Sequence, residues 1–143
     1  MDFWSKNNNF KPTEKQKVGA IGENLAEKYL KKNGFSILDR NYRKQWGEID
    51  IVAKKGNRIY FVEVKTVTIN NQKFNGGVET KNDNYEPEDN IHPWKLKRLE
   101  RAIETYLSEK NIDDEIDWQL DAISVYLDEK GELIKLDYLE DIF

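Results

Sequence analysis

The sequence predicts one α/β domain, in which a helix, three strands, a second helix and a further strand follow one another to build a mixed central sheet. Three observations predict it. Apolar residues recur at helical spacing in two separate windows, strand-like runs lie between and after them, and the pair Gly56-Asn57 joins two of those runs as a tight hairpin. At 143 residues, with 38% hydrophobic and 12% aromatic side chains, the chain is of a size to bury one continuous core.

Residues 1–13 read as a flexible arm, because they hold Asn7, Asn8, Asn9 and Pro12 and show no apolar period. Residues 14–143 read as the single domain. Its first helix begins at about Thr13, a residue suited to cap it. Val18, Ile21, Leu25, Tyr29 and Leu30 form the apolar stripe, and Asn33-Gly34 is a typical C-terminal stop. Strands are expected at Phe35–Tyr42, Gly47–Lys54 and Arg58–Val67. Residues 68–92 are polar, contain Gly76-Gly77 and Pro87, and read as a long loop of the kind that is usually functional or disordered. The second helix spans about Pro93 to Lys110, with proline suited to its first turn and Leu96, Leu99, Ile103, Tyr106 and Leu107 as its stripe. A strand at Trp118–Leu127 follows, and the turn Asp128-Glu129-Lys130-Gly131 leads into a short edge strand at Leu133–Leu139.

Composition removes several chemistries. Without cysteine there is no disulfide framework, zinc ribbon or thiol nucleophile, and the single histidine, His92, cannot make a multi-histidine metal site. Any metal must be held by oxygens, which favours Mg²⁺ or Mn²⁺. No run of eighteen apolar residues occurs, and the N-terminus is polar, so no membrane partner and a cytoplasmic location are expected. The net charge of -4 is unevenly spread. Residues 1–82 carry 16 lysines and arginines against 9 acidic residues, whereas residues 83–143 carry 7 against 18. Affinity for phosphate follows local fields, so the basic half can bind a polyanion.

The hairpin defines a register. A two-residue Gly56-Asn57 loop opposes Lys55 to Arg58, Asp50 to Glu63 and Glu48 to Lys65. The strand period of two then groups Glu48, Asp50, Glu63 and Lys65 on one face, and Ile49, Ile51, Tyr60, Val62 and Val64 on the other, as a chemical face and a core face. Opposed carboxylates repel across a ladder. A divalent cation removes the penalty, since both can reach one ion at roughly 2.0 to 2.1 Å while water and a phosphate oxygen complete its shell. Lys65 is then placed to hold the attacking water and offset transition-state charge. The alternative is a solvated face on which Lys65 bridges Glu48 or Glu63, which leaves the Asp50–Glu63 opposition without a reason.

Glu23 lies beside Ala26 and Leu30 at the rim of the first helix's stripe, from where it can look toward the sheet edge and support the metal or a water. Lys95, Lys97, Arg98 and Arg101 gather basic charge on the early second helix, where phosphate contacts would be useful. Trp4, Trp46 and Trp94 lie in polar segments and are suited to packing or to base stacking.

These residues also carry a resemblance. The runs Gly22-Glu23-Asn24-Leu25-Ala26, Tyr29-Leu30, Gly34-Phe35, Arg40-Asn41-Tyr42-Arg43, Gly47-Glu48-Ile49-Asp50 and Phe61-Val62-Glu63-Val64-Lys65-Thr66 resemble those of the YraN-type predicted endonucleases. That family is similar to archaeal Holliday-junction resolvases within the PD-(D/E)XK nuclease superfamily. The resemblance covers roughly Val18 to Val125 and departs from the family pattern at Val67 and Gln119, where arginines would be expected. It implies a restriction-endonuclease-like αβββαβ core and a metal-dependent endonuclease, with Mg²⁺ or Mn²⁺ as cofactor and DNA, branched or junction DNA included, as substrate. It implies metal ligation by Asp50, Glu63 and the Val64 carbonyl, Lys65 as catalytic lysine, and Glu23 as the helix glutamate of resolvase-like members. A non-catalytic nucleic-acid-binding protein that retains the fold is the alternative, and a homodimer is left open.

Overall fold

A computed structural model describes residues 11–69 and 92–143. Two helices and five strands follow in the order α1 (Glu14–Lys32), β1 (Ser36–Lys44), β2 (Gly47–Lys55), β3 (Arg58–Thr68), α2 (Pro93–Glu109), β4 (Asp117–Leu127) and β5 (Leu133–Leu139). Most of the expected arm and the expected loop, with Trp4, lie outside the described residues.

α1 starts where the sequence supplies a capping box. The Gln16 N–H donates to Thr13 Oγ1 at 3.1 Å, and the Thr13 N–H donates to Gln16 Oε1 at 2.9 Å. It stops at Asn33-Gly34, with Gly34 at φ 89°, a left-handed conformation that glycine adopts without strain. Gly22, Ala26 and Leu30, four residues apart, form its buried stripe. Gly22 is required there, because a Cβ would land on the Thr66 side chain of β3. α2 opens with Pro93 in its first turn and buries Leu99, Ala102, Ile103 and Tyr106.

The strands form one mixed sheet in the order β1-β2-β3-β4-β5. β1, β2 and β3 are antiparallel neighbours, and the Gly56-Asn57 hairpin holds the predicted register from Lys55–Arg58 to Ile51–Val62. β4 joins β3 in parallel over eleven residues, from Arg58–Asp117 to Thr68–Leu127, and β5 closes the far edge antiparallel to β4.

Helices cover both faces, and this corrects the expectation of one apolar and one chemical face. Under α1 lie Ile51, Ala53, Val62, Ile123, Val125 and Leu127; under α2 lie Ile49, Val52, Ile59, Phe61 and Leu120. The expected grouping of Ile49 with Ile51 and Val62 fails, since Ile49 packs on the α2 side. β2 and β3 are apolar on both faces toward the hairpin end, where Val52, Ile59 and Phe61 need cover as much as Ile51 and Val62 do. Burying Phe61 alone contributes about 2 to 3 kcal/mol. On β3, Glu63 follows Ile59 and Phe61 on the α2 face, beyond the apolar end.

Candidate functional site

Asp50 sits where β2 leaves the ladder on both sides. Toward β1 the pairing steps from Arg40–Ile51 to Tyr42–Ile49, and Asn41, which lies opposite Asp50, adopts φ 51°, a left-handed conformation that asparagine tolerates better than most residues. Toward β3 the ladder closes with Ile51–Val62, one step short of the expected Asp50–Glu63 pair. The carboxylate takes over from the backbone there: the Val64 N–H donates to Asp50 Oδ2 at 2.8 Å. The same irregularity separates Ile49 from Ile51 between the two cores.

Asp50 is 8% exposed, and burial followed by the charge of Glu63 pushes its carboxyl well above its ordinary value, against the Val64 hydrogen bond. Glu23 and Glu48 push it further in the same direction. Burial and the neighbouring carboxylates thus both disfavour the charged form of Asp50. Glu63, with 12% of its side chain exposed, receives an ion pair from Lys95 Nζ at 2.9 Å. Burial works against that ammonium, but Glu63, with Asp50 and Glu48 behind it, outweighs burial and raises the lysine's pKa. An open pocket of about 310 Å³ lies over this pair, its lining including Lys44, Glu48, Trp94 and Arg98.

The remaining site residues are distributed around this centre. Lys65 is exposed on β3 beside Ser124 of β4, and by alternation shares the face of Glu63. Val64, between them, is half-buried. Glu23 is 20% exposed and bound to Arg40 of β1 at 3.2 Å; Arg40 also reaches Asn24 Oδ1 at 2.7 Å and Glu27 at 3.9 Å, while its buried Nε has no hydrogen-bond partner among the described residues. Glu48 pairs with Arg43 at 3.1 Å.

The basic cluster of α2 is split by the fold. Lys95 turns inward to Glu63. Arg98 donates from Nε to the Trp46 carbonyl at 2.9 Å, Arg101 lies 4.8 Å from the centre of the Trp46 ring, and Lys97 is exposed. Trp46 itself donates to Thr105 Oγ1 at 3.3 Å, so it packs against the helix, whereas Trp94 is 59% exposed at the pocket rim. Sequence reasoning placed Lys95 among the outward cations, yet a signal was present: it lies four residues before Leu99 and so heads the buried stripe. In the sequence, Arg40 and Asn41 contribute to the resemblance alone. Neither was read as the partner of Glu23 or as the break beside Asp50.

The donors around Asp50 and Glu63 are hard oxygens, and two carboxylates whose charges oppose each other in a buried setting fit a Mg²⁺ or Mn²⁺ ion. No group of three or more His, Cys, Asp or Glu able to hold a metal occurs among the described residues, so a carbonyl, water and phosphate oxygens would have to complete the shell. No described helix is long and apolar enough to cross a membrane.

Comparison with known proteins gives one consistent family. The model of the Uncharacterised protein family UPF0102 matches residues 22–125. A UPF0102 protein of Alkaliphilus oremlandii is 39% identical over 130 residues, covering 90% of this chain and 98% of its own. Another, of Flavobacterium psychrophilum, is 35% identical over 91% of this chain and 96% of its own. A third, of Dictyoglomus turgidum, is 31% identical over 90% and 98%. The matched segment holds Glu23, Asp50, Glu63, Lys65 and Lys95 together, and the chain belongs to the UPF0102 family, the YraN-type predicted endonucleases that its sequence resembles.

Proposed function

We propose that the protein is a metal-dependent endonuclease that hydrolyses phosphodiester bonds in DNA, branched DNA foremost. The observation that carries the reading is a buried Asp50 carboxyl close enough to feel the charge of Glu63, which lines a pocket, so that Asp50 is held at an energetic cost that a divalent cation would relieve. Asp50, Glu63 and the Val64 carbonyl would hold Mg²⁺ or Mn²⁺. Bound there, the ion supplies Lewis acidity toward a phosphate oxygen and a lower pKa for water at neutral pH.

The protein's own residues do the rest. Lys65 orients the attacking water and offsets negative charge on the transferring phosphate. Glu23, fixed by Arg40, adds to the negative field at Asp50 and supports its side of the site. Lys97, Arg98 and Arg101 supply positive charge along α2 for the backbone of the nucleic acid.

Cleavage of branched DNA with Mn²⁺ tests the reading. Wild type is expected to cut, and Lys65→Ala to lose roughly two to three orders of magnitude in rate, the scale of one preorganised electrostatic group. DNA affinity and melting temperature should hardly change, because Lys65 is exposed and outside both cores. One observation favours a second reading, a nucleic-acid-binding protein without catalysis: Glu63 is already neutralised by Lys95. That reading stands if wild type cuts no branched, single-stranded or duplex DNA while both proteins bind it equally.

A further inference from the structure

The ion pair at Glu63 has a geometry that a surface salt bridge does not require. Lys95 reaches Glu63 Oε1 at 2.9 Å from the first turn of α2, and the carboxylate it meets is 12% exposed. α2 is docked tightly beside the contact. A Cβ on Gly47 would stand 2.6 Å from the Arg98 carbonyl oxygen, so the helix backbone already lies as close to the start of β2 as glycine permits. The lysine side chain itself has freedom, because it is 38% exposed and lines an open pocket of about 310 Å³. Lys44, which also lines that pocket, is held by Glu109 at 2.6 Å.

An ammonium at hydrogen-bond distance from Oε1 occupies an oxygen that a divalent ion would use, and two cations cannot share it without strong repulsion. We infer that Lys95 is an internal counter-ion of the acidic site. It neutralises Glu63 until a divalent cation arrives, is displaced from the carboxylate by that cation, and swings into the pocket to meet a phosphate oxygen of the nucleic acid. This rests on the metal reading above and adds a displaceable group to it. The exchange conserves charge near Glu63 in the free protein and delivers a cation to the substrate only when the site is loaded.

Calorimetric titration of the full chain with Mn²⁺ tests it without any activity measurement. Lys95→Met should bind Mn²⁺ about tenfold more tightly than wild type, and Lys95→Gln, which keeps a donor to Glu63 but no charge, should also bind more tightly. Lys44→Met should stay within about twofold of wild type. In wild type, the rate at which an amine-acylating reagent labels Lys95 should rise when Mn²⁺ is added. If wild type binds Mn²⁺, Asp50→Asn does not, and Lys95→Met binds it no better than wild type, the counter-ion role is overturned while the metal site survives. A gain in Lys44→Met equal to that in Lys95→Met also overturns it, since the effect would then be the general field of the pocket. If neither wild type nor the two Lys95 variants bind the ion, this inference and the metal reading fall together.

Discussion

Replacing Asp50 by asparagine should stabilise the metal-free protein. The carboxylate is 8% exposed, faces the charge of Glu63, and accepts the 2.8 Å hydrogen bond from Val64 N–H, which the asparagine carbonyl can accept equally. Its folded pKa lies above its unfolded value, so between the two the folded chain holds a proton that the unfolded chain has lost. Stability therefore falls as pH rises through that window, and the whole penalty is present above it. Removing a buried charge of this kind recovers about 1 to 3 kcal/mol. In a 143-residue domain that is a rise in melting temperature of roughly 3 to 10 °C. The assay is thermal unfolding at neutral pH, first with a chelator and then with Mn²⁺. At a hundred times its dissociation constant the ion stabilises wild type by about 2.7 kcal/mol and should leave Asp50→Asn nearly unchanged, so the gap between them closes or inverts. A lower melting temperature for Asp50→Asn in chelator, or equal Mn²⁺ increments for both proteins, would refute the argument.

Two further predictions concern the surface and the scaffold. Lys97→Glu combined with Arg98→Glu should weaken DNA binding alike for all sequences and flatten its salt dependence; an unchanged affinity and slope would remove this helix from the interface. Gly22→Ala should cost about 1 to 3 kcal/mol in urea unfolding, because the new Cβ falls on Thr66, and Thr66→Ala should recover part of that loss. Full stability in Gly22→Ala would mean that α1 shifts freely over the sheet.

Much of this fold was legible in the sequence because local signals agree. Thr13 with Gln16, Asn33-Gly34, Pro93 and Gly56-Asn57 each set an element boundary through short-range chemistry, and the hairpin turn alone fixes the register of β2 against β3. Face assignment was less legible. Alternation identifies which residues share a side of a strand, but it does not say whether a second helix covers that side, and Val52, Ile59 and Phe61 are buried by α2 only through a crossover of long sequence separation. The site was read in part for the same reason. Asp50, Glu63 and Lys65 lie on one hairpin and their neighbourhood follows from counting, whereas the Lys95–Glu63 contact joins elements thirty-two positions apart and depends on how α2 docks. The turning of β2 at Asp50 had a weaker sign, an asparagine opposite an aspartate, which acquires meaning only once φ at Asn41 is known.

The departures from regular pairing in the two outer strands bear on how the molecule behaves among its copies. A sheet ends in rows of unpaired N–H and C=O groups that invite another strand. In β1 the pairing with β2 slips between Ile37 and Asp39 and Asn41 turns left-handed, while in β5 the step from Tyr126–Lys135 to Leu127–Leu133 leaves Ile134 out of register. Neither strand offers a straight template, and Arg40, Arg43, Lys44, Lys135 and Asp137 place charge along both. The kinks that shape the inside of the sheet thus also work against its growth by edge-to-edge pairing with further copies.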